Sequence, residues 1–341
     1  MKVYFEGNFW GHRQKERAGK RVELNQSLEW DGDTWLIPAA YLCSKGLVVD
    51  FCKMIPRHRI QSLMNQWEEK AEHNQLSPEE YELLEFENPM SNLIHFKASI
   101  NGRLAEGIRM CAVCWNPFRS DMKQEAEEVS ELVEEYQCDK EQGWQFTRAA
   151  IPWPYKRRPG KISFSLNFEP YTLPYPCGQH FNFCLDDDSR QLQISHPVNN
   201  HEYTLTISGM KSEVLSEKCF RRLGTYEYPK NFVTLSYHYH SDTADEVFVI
   251  HDCAQGDSPR RIPGQERETE ILGSAASVGI IGGVSAAFTP DQEKEDRIRE
   301  QYAISSLYFE PVNQVEWRIS AMITRGEALT LEIPIITGEG K

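Results

Sequence analysis

Apolar and polar residues alternate along four stretches near the start of the chain: residues 2–10, 22–30, 34–43 and 46–55. Neighbouring side chains of a strand point to opposite faces, so this period of two predicts four β-strands. The sequence Asp-Gly-Asp at positions 31–33 is typical of a tight hairpin turn. We therefore expect the second and third strands to pair in an antiparallel hairpin.

The apolar spacing changes to that of a helix after Pro56. A second, shorter helix is predicted by the Ser-Pro-Glu-Glu capping box at positions 77–80, and the Asn-Pro pair at 88–89 is expected to end it. The clearest helix covers residues 120–138, which have one apolar face and one acidic face that we interpret as solvent-exposed. The N-terminal half is therefore expected to contain about three helices among its strands.

The basic, proline-flanked segment 153–160 separates these mixed elements from a region in which almost everything alternates. Short strands without intervening helices are typical of antiparallel sandwiches and barrels. We predict a mainly β, α+β protein with antiparallel β-sandwich or barrel-like sheets. An α+β domain would cover residues 1–155 and an antiparallel β domain residues 160–341, either as separate domains or packed as one unit. The strands predicted in the second domain are 161–168, 191–195, 202–207, 232–240, 246–251, 303–310, 315–323 and 328–335.

The composition is that of an ordinary globular protein with an acidic excess. Lys plus Arg is 37 and Asp plus Glu is 51, so the formal net charge is −14. Such a charge repels phosphate backbones and anionic membranes, and we expect neither nucleic acid nor a membrane as a partner. The first residues lack the apolar core of a signal peptide, and no apolar run reaches the ~18 to 20 residues of a spanning helix. We expect a cytoplasmic protein whose nine cysteines are thiols.

Glycines cluster among small and β-branched residues in the stretch 273–290. A phosphate-binding loop would need Gly-Lys-Ser/Thr at the start of a helix, and the stretch lacks that sequence. A dinucleotide-binding loop needs Gly-x-Gly-x-x-Gly, whereas the spacing here is Gly279-x-x-Gly282-Gly283. We therefore predict a buried strand, with another stretch of backbone lying close to Gly282 and Gly283.

Two histidines separated by a single residue, His238 and His240, are the best candidates for metal chemistry. On a strand they would share one face, and Glu246 would arrive from the next strand. Two imidazoles and a carboxylate on adjoining strands can form a metal site. The alternative interpretation is a pair of surface histidines on a half-exposed strand.

The segment around these histidines resembles the first metal motif of the cupin family, in which His-x-His precedes a Glu on the neighbouring strand. The resemblance covers about 20 residues and implies a β-barrel enzyme. His238, His240 and Glu246 would then bind a divalent metal such as Zn, Mn, Fe or Ni. The segment departs from that motif in two ways. The gap from His240 to Glu246 is about one residue longer, and residues 251–253 stand where the motif has a glycine.

Two further groups of residues are interpreted as structural. Cys111 and Cys114 form a CxxC pair, but they stand at the end of a predicted strand and lack the second pair of a zinc knuckle. A cluster of aromatic residues would suit binding of a sugar or a peptide, although we favour packing in the core. Its members are Trp144, Phe146, Trp153, Tyr155, Tyr171, Tyr175, Phe181 and Phe183.

No complete catalytic set can be assembled from these residues. Our first hypothesis is a non-catalytic binding or interaction protein without a cofactor, whose partner is a protein, a peptide or a sugar. The alternative is a metal-dependent enzyme with a cupin-like β-barrel site. The two differ in whether His238, His240 and Glu246 hold a metal ion.

Overall fold

The chain forms two compact units, which we describe separately. Unit 1 comprises Met1–Leu173 together with Thr324–Lys341, and unit 2 comprises Pro174–Ile323. The computed structural model describes residues 1–9, 11, 16–73, 75–91, 94–119, 125–156, 159–216, 226–240, 247–262 and 301–335. The glycine-rich stretch 273–290 lies outside the described residues, so the buried strand expected there remains a prediction.

All described helices lie in unit 1: α1 (Arg57–Glu72), α2 (Pro78–Glu87) and α3 (Glu125–Glu135). In the described part of the chain, none combines the length and the apolar character that crossing a membrane requires. The strands of unit 1 are β1 (Lys20–Trp30), β2 (Asp33–Leu42), β3 (Gly46–Ile55), β4 (Phe96–Ile100), β5 (Arg103–Leu104), β6 (Arg109–Trp115), β7 (Gly143–Pro152), β8 (Ile162–Phe168) and, after the chain returns from unit 2, β18 (Leu329–Ile335).

Unit 1 is built on two antiparallel sheets, with strand orders β1-β2-β3-β7-β6 and β18-β8-β4-β5. The hairpin between β1 and β2 turns at Asp31 and Gly32, whose φ angles are 53° and 73°. Positive φ at both central residues defines the type I′ hairpin turn, so the sequence prediction of this turn is confirmed. The capping box of α2 is also confirmed. The Ser77 hydroxyl accepts from the backbone N–H of Glu80, and the Glu80 carboxylate accepts from the backbone N–H of Ser77.

The core of unit 1 lies between these two sheets. Trp35 and Phe51 from the five-stranded sheet pack in the same apolar cluster as Phe164 and Phe168 from the four-stranded sheet. The opposite face of the five-stranded sheet is covered by α3, whose Val133 is fully buried. Helix α3 therefore buries the apolar face that its sequence predicted.

Unit 2 is a second antiparallel sandwich. Its strands are β10 (Arg190–Ser195), β11 (Glu202–Val214), β12 (Tyr226–Glu227), β13 (Asn231–Tyr239), β14 (Val247–Asp252), β15 (Arg260–Arg261) and β16 (Gln301–Ile304), together with the greater parts of β9 (Tyr171–Cys184) and β17 (Gln314–Arg325). The sheets β10-β11-β13-β16 and β14-β17-β9 share one core, in which Trp317, Phe248 and Leu235 are fully buried. The predicted mainly β class is confirmed, and none of the described sheets closes into a barrel.

Several elements differ from the sequence prediction: β9 is not among the predicted strands, and the strand expected at 303–310 is β16, which ends at Ile304. Residues 2–9 form no strand, because Phe5 and Glu6 donate their backbone N–H groups to the carboxylate of Glu16 instead of to a neighbouring strand. The segment 153–160, expected as a domain boundary, lies within unit 1. Strand β8 follows it and pairs with β4 and β18, which keeps this part of the chain in the first unit.

A buried ion pair with a hydroxyl network joins the strands of unit 1. Arg148 donates from Nε and Nη2 to Asp50, at 2.8 and 2.6 Å, and the two residues are only 3% and 1% exposed. The Tyr136 hydroxyl donates to the same carboxylate, and the hydroxyls of Tyr41 and Tyr136 lie 2.9 Å apart. The guanidinium also stacks over the ring of Phe9. Each buried charge is thus met by several polar partners, as burial demands.

The buried tyrosines predict a loss of stability at alkaline pH. Burial raises the pKa of Tyr41 to about 12 and raises that of Tyr136 well above its ordinary value. An unfolded tyrosine ionises near about pH 10, so above that pH the unfolded state binds fewer protons than the folded state. The free energy of unfolding should therefore fall as the pH rises from about 10 to about 12. Urea unfolding across this range measures the slope, which should be shallower in Tyr41→Phe; equal slopes would contradict this origin.

Candidate metal centre

Three potential metal ligands from distant parts of the chain, here called the triad, meet on the outer face of the three-stranded sheet of unit 2. Strand β9 carries His180, β17 carries Glu316, and Cys253 directly follows β14. Because β17 lies between the other two strands, Glu316 has Cys253 on one side and His180 on the other. The backbone N–H of Cys253 donates to the carbonyl of Glu316 at 2.9 Å, which continues the ladder between β14 and β17.

The alternation of side chains along the strands fixes which way these ligands point. On β17, Val315 and Trp317 are buried in the core, so Glu316 between them projects to the outer face. On β9, Phe181 is buried in the same core, and its neighbour His180 projects outward in the same way. The apolar residues that build the sandwich therefore also orient the ligands.

The three ligand atoms converge on one point. His180 Nδ1 lies 3.2 Å from Glu316 Oε1 and 3.5 Å from Cys253 Sγ, and all three atoms are within 4.8 Å of one another. A ring nitrogen carries at most one hydrogen, so Nδ1 cannot make a full hydrogen bond to both the sulfur and the carboxylate at once. A metal cation between the three atoms would be bound by the nitrogen lone pair and by both anions.

The spacing agrees with tetrahedral zinc. Bond lengths of about 2.05 Å to nitrogen, 2.1 Å to oxygen and 2.3 Å to sulfur place a tetrahedral N···O pair about 3.4 Å apart and an N···S pair about 3.6 Å apart. The observed separations from His180 Nδ1 are 3.2 Å to Glu316 Oε1 and 3.5 Å to Cys253 Sγ. These side chains thus need little movement to coordinate the ion, and among the described residues the cluster offers three ligands and no fourth.

The backbone beside Cys253 is held by its neighbour Asp252. The carboxylate of Asp252 accepts from the backbone N–H of Ala254 at 2.8 Å, from that of Ser306 at 2.9 Å and from the Tyr308 hydroxyl at 2.8 Å. The contacts from Ser306 and Tyr308 come from a second segment of the chain. They fix the position at which the cysteine leaves the strand, which is the kind of support that orients metal ligands.

The carboxylate of Glu316 lies beside His180 on the exposed face of β17. Arg318 lies on the same face of β17, but its Nη1 donates to Ser320 Oγ at 3.4 Å, further along the strand. Within the described residues, the carboxylate of Glu316 lies 3.2 Å from His180 Nδ1, and the two side chains are 54% and 39% exposed. A contact between two side chains this exposed contributes little to stability, so exchanging it for metal coordination would cost the fold little.

The histidines selected from the sequence lie elsewhere in unit 2. His238 is on β13, half-buried, with Nδ1 3.3 Å from Ser208 Oγ, and His240 is exposed just beyond the end of that strand. Since Tyr237 is buried in the shared core, His238 faces outward from the four-stranded sheet, opposite to the sheet of the triad. Glu246 lies outside the described residues, so a metal site at His238, His240 and Glu246 remains a prediction.

No local motif in the sequence marks the triad. His180 is separated from Cys253 by 73 positions and from Glu316 by 136. Their meeting depends on which strands are neighbours and on their register, and neither follows from local spacing. The sequence offers only a weak signal for the triad, namely an outward-facing Cys, His or Glu on or directly after each of three strands.

The CxxC pair and the aromatic cluster occupy structural positions. Cys111 and Cys114 lie on β6, and desolvation raises the pKa of both thiols, that of Cys114 to about 11. A redox pair would need the opposite shift. In the aromatic cluster, Trp144, Phe146, Phe181 and Phe183 are buried and the other four members are half-buried. A protein, peptide or sugar partner that binds through these rings remains a prediction.

Comparison with known proteins found no relative of this chain. No protein-family model matches the chain, and no significant match was found among the curated proteins or the solved structures. Any statement about function must therefore come from the residues of the chain themselves.

Proposed function

We propose that this protein is a non-catalytic binding protein that holds a divalent transition metal, zinc in first place, on unit 2. The ligands are His180, Cys253 and Glu316. The observation that carries the proposal is the convergence of three ligand atoms: the nitrogen lies 3.2 Å from the oxygen and 3.5 Å from the sulfur. A thiolate and an imidazole favour zinc over magnesium or calcium, which prefer oxygen ligands.

A cytoplasmic location belongs to the same proposal. The described chain holds eight cysteines and no disulfide between them, as is usual in a reducing compartment. There the thiolate of Cys253 would remain available to the metal. The net charge of −14 also favours association with a cation.

The proposal predicts one zinc ion per chain and a loss of affinity when a ligand is removed. Glu316→Gln preserves the size of the side chain but removes its charge, and Cys253→Ser replaces the sulfur with a weaker hydroxyl ligand. Each should raise the zinc Kd more than about 100-fold, since even supporting residues contribute 10- to 100-fold. Competition with a chromophoric chelator measures these constants in protein purified without a histidine tag.

Two matched variants control for general effects on the protein. Cys184→Ser removes a half-buried thiol from the end of β9, and His201→Ala removes an exposed imidazole from the same unit. Both should bind zinc as the unaltered protein does. Equal affinity in Glu316→Gln and the unaltered protein would refute the proposed site.

A metal-dependent enzyme is the second candidate, favoured by the count of three ligands among the described residues. Catalytic zinc sites have three protein ligands and a water molecule, whereas structural sites have four protein ligands. Bound zinc lowers the pKa of that water and makes it a nucleophile. Zinc-dependent hydrolysis of an activated ester, abolished by Glu316→Gln and unchanged by His201→Ala, would favour the enzyme over the binding protein.

A further inference from the structure

We infer that Cys253 is an oxidative modification site at which a hydroperoxide converts the metal-bound thiolate to a sulfenic acid and so releases the metal. The inference rests on the proposed function and adds a form of regulation to the same site. Its basis is that the three converging ligands contain a single sulfur atom, 3.5 Å from His180 Nδ1.

The environment distinguishes Cys253 from several other thiols of the chain. Cys43 and Cys52 are buried, which excludes an oxidant dissolved in water. Cys111 is half-buried and Cys114 is exposed, but nearby protein atoms desolvate both thiols and raise their pKa, so few of them are in the reactive thiolate form. Cys253 is half-exposed on the outer face of its sheet, beside two polar side chains. A coordinated cysteine is held as the thiolate, which is the form that reacts with peroxide.

The oxidation step balances with the hydroperoxide as oxidant. The sulfur of Cys253 attacks one peroxide oxygen, an S–O bond forms and the O–O bond breaks. The leaving hydroxide, or alkoxide, takes a proton from solvent. The sulfur loses two electrons and the peroxide gains two. A small thiol reverses the change: it displaces water from the sulfenic acid to form a mixed disulfide, and a second thiol then releases Cys253.

Loss of the thiolate should remove the metal without unfolding the unit. After oxidation, His180 and Glu316 are the two ligands that remain in the triad. Both side chains are exposed, and two such ligands cannot hold zinc tightly. The backbone around Cys253 is fixed by its bond to the Glu316 carbonyl and by the contacts of Asp252, and none of these involves the sulfur. The oxidation is therefore expected to act locally and reversibly.

The test follows zinc release from the full-length, zinc-loaded protein after addition of hydrogen peroxide. A chromophoric chelator reports free zinc, and peptide mass spectrometry reports oxygen added at each cysteine. We expect about one zinc released per oxidised Cys253, and rebinding after addition of a thiol. Cys184→Ser, which keeps the triad intact, should release zinc at the same rate as the unaltered protein.

Cys253→Asp and Cys253→His supply the decisive comparison, because each provides a ligand that peroxide does not readily oxidise. Either variant that binds zinc should retain it in peroxide. Zinc that stays bound while Cys253 is oxidised would overturn the inference, as would equally fast release from Cys253→Asp or Cys253→His. Protein that holds no zinc before peroxide is added would instead refute the proposed function, and the inference with it.

Discussion

Replacing Arg148 with methionine is expected to lower the free energy of unfolding of unit 1 by about 3–5 kcal/mol. Arg148 and Asp50 are 3% and 1% exposed, and Arg148 makes two hydrogen bonds to the carboxylate. Methionine fills much of the same volume but leaves the charge of Asp50 buried without its cation. The Tyr136 hydroxyl continues to donate to Asp50, but a neutral donor cannot replace the ion pair.

Urea unfolding of single and double variants tests this expectation. Adding Asp50→Asn to Arg148→Met should recover part of the loss, because the unpaired charge is then gone. Arg119→Met is the matched control: it breaks a pair with Glu68 at the surface and should cost less than about 1 kcal/mol. A loss from Arg148→Met as small as that of the control would contradict the account of the network.

Replacing Trp317 with alanine is expected to destabilise unit 2 by about 3–5 kcal/mol. Trp317 is fully buried on β17, in the core that the two sheets of the unit share. Alanine would leave a cavity there and would loosen the strand that carries Glu316. The same variant should therefore weaken zinc binding, although residue 317 is not a ligand.

Hydrogen–deuterium exchange in peptides from β14 and β17 measures the change within the unit. Protection should fall in Trp317→Ala and fall less in Trp317→Phe, which retains a large apolar ring. Tyr302→Ala removes a side chain that is 53% exposed, and it should leave exchange in these strands nearly unchanged. Unaltered protection in Trp317→Ala would contradict the placement of this residue in the core.

Much of the fold follows from short-range sequence signals. The turn at Asp31 and Gly32, the capping box between Ser77 and Glu80, and the apolar face of α3 each depend on residues close together in the chain. Propensity and periodicity act over the same short range, so these features could be predicted from the sequence.

The segment 153–160 shows where such signals mislead. Its prolines and basic residues predict a linker, but Trp153 Nε1 donates to the Cys43 carbonyl at 3.2 Å. The Tyr155 hydroxyl similarly donates to the Ile100 carbonyl at 3.1 Å. Side-chain bonds to distant backbone decide the outcome there, and composition does not reveal them.

The candidate site could not be predicted, because it too depends on contacts between distant parts of the chain. The interpretation of His238 and His240 relied on close spacing, which is how most metal motifs are recognised in sequences. His180, Cys253 and Glu316 are brought together by the order β14-β17-β9 of one sheet. Pairing between strands this far apart in sequence is set by the packing of the whole core and not by any local stretch.

The most direct test of the central claim is the absorption spectrum of the protein loaded with cobalt(II), which takes the place of zinc and is coloured. Tetrahedral coordination by His180, Cys253 and Glu316 predicts intense visible bands and a thiolate-to-cobalt charge-transfer band at one equivalent of metal. Cys253→Ser should lose the charge-transfer band, and Cys184→Ser should keep it. A weak, octahedral-type spectrum in the unaltered protein, or a charge-transfer band that survives Cys253→Ser, would contradict the account.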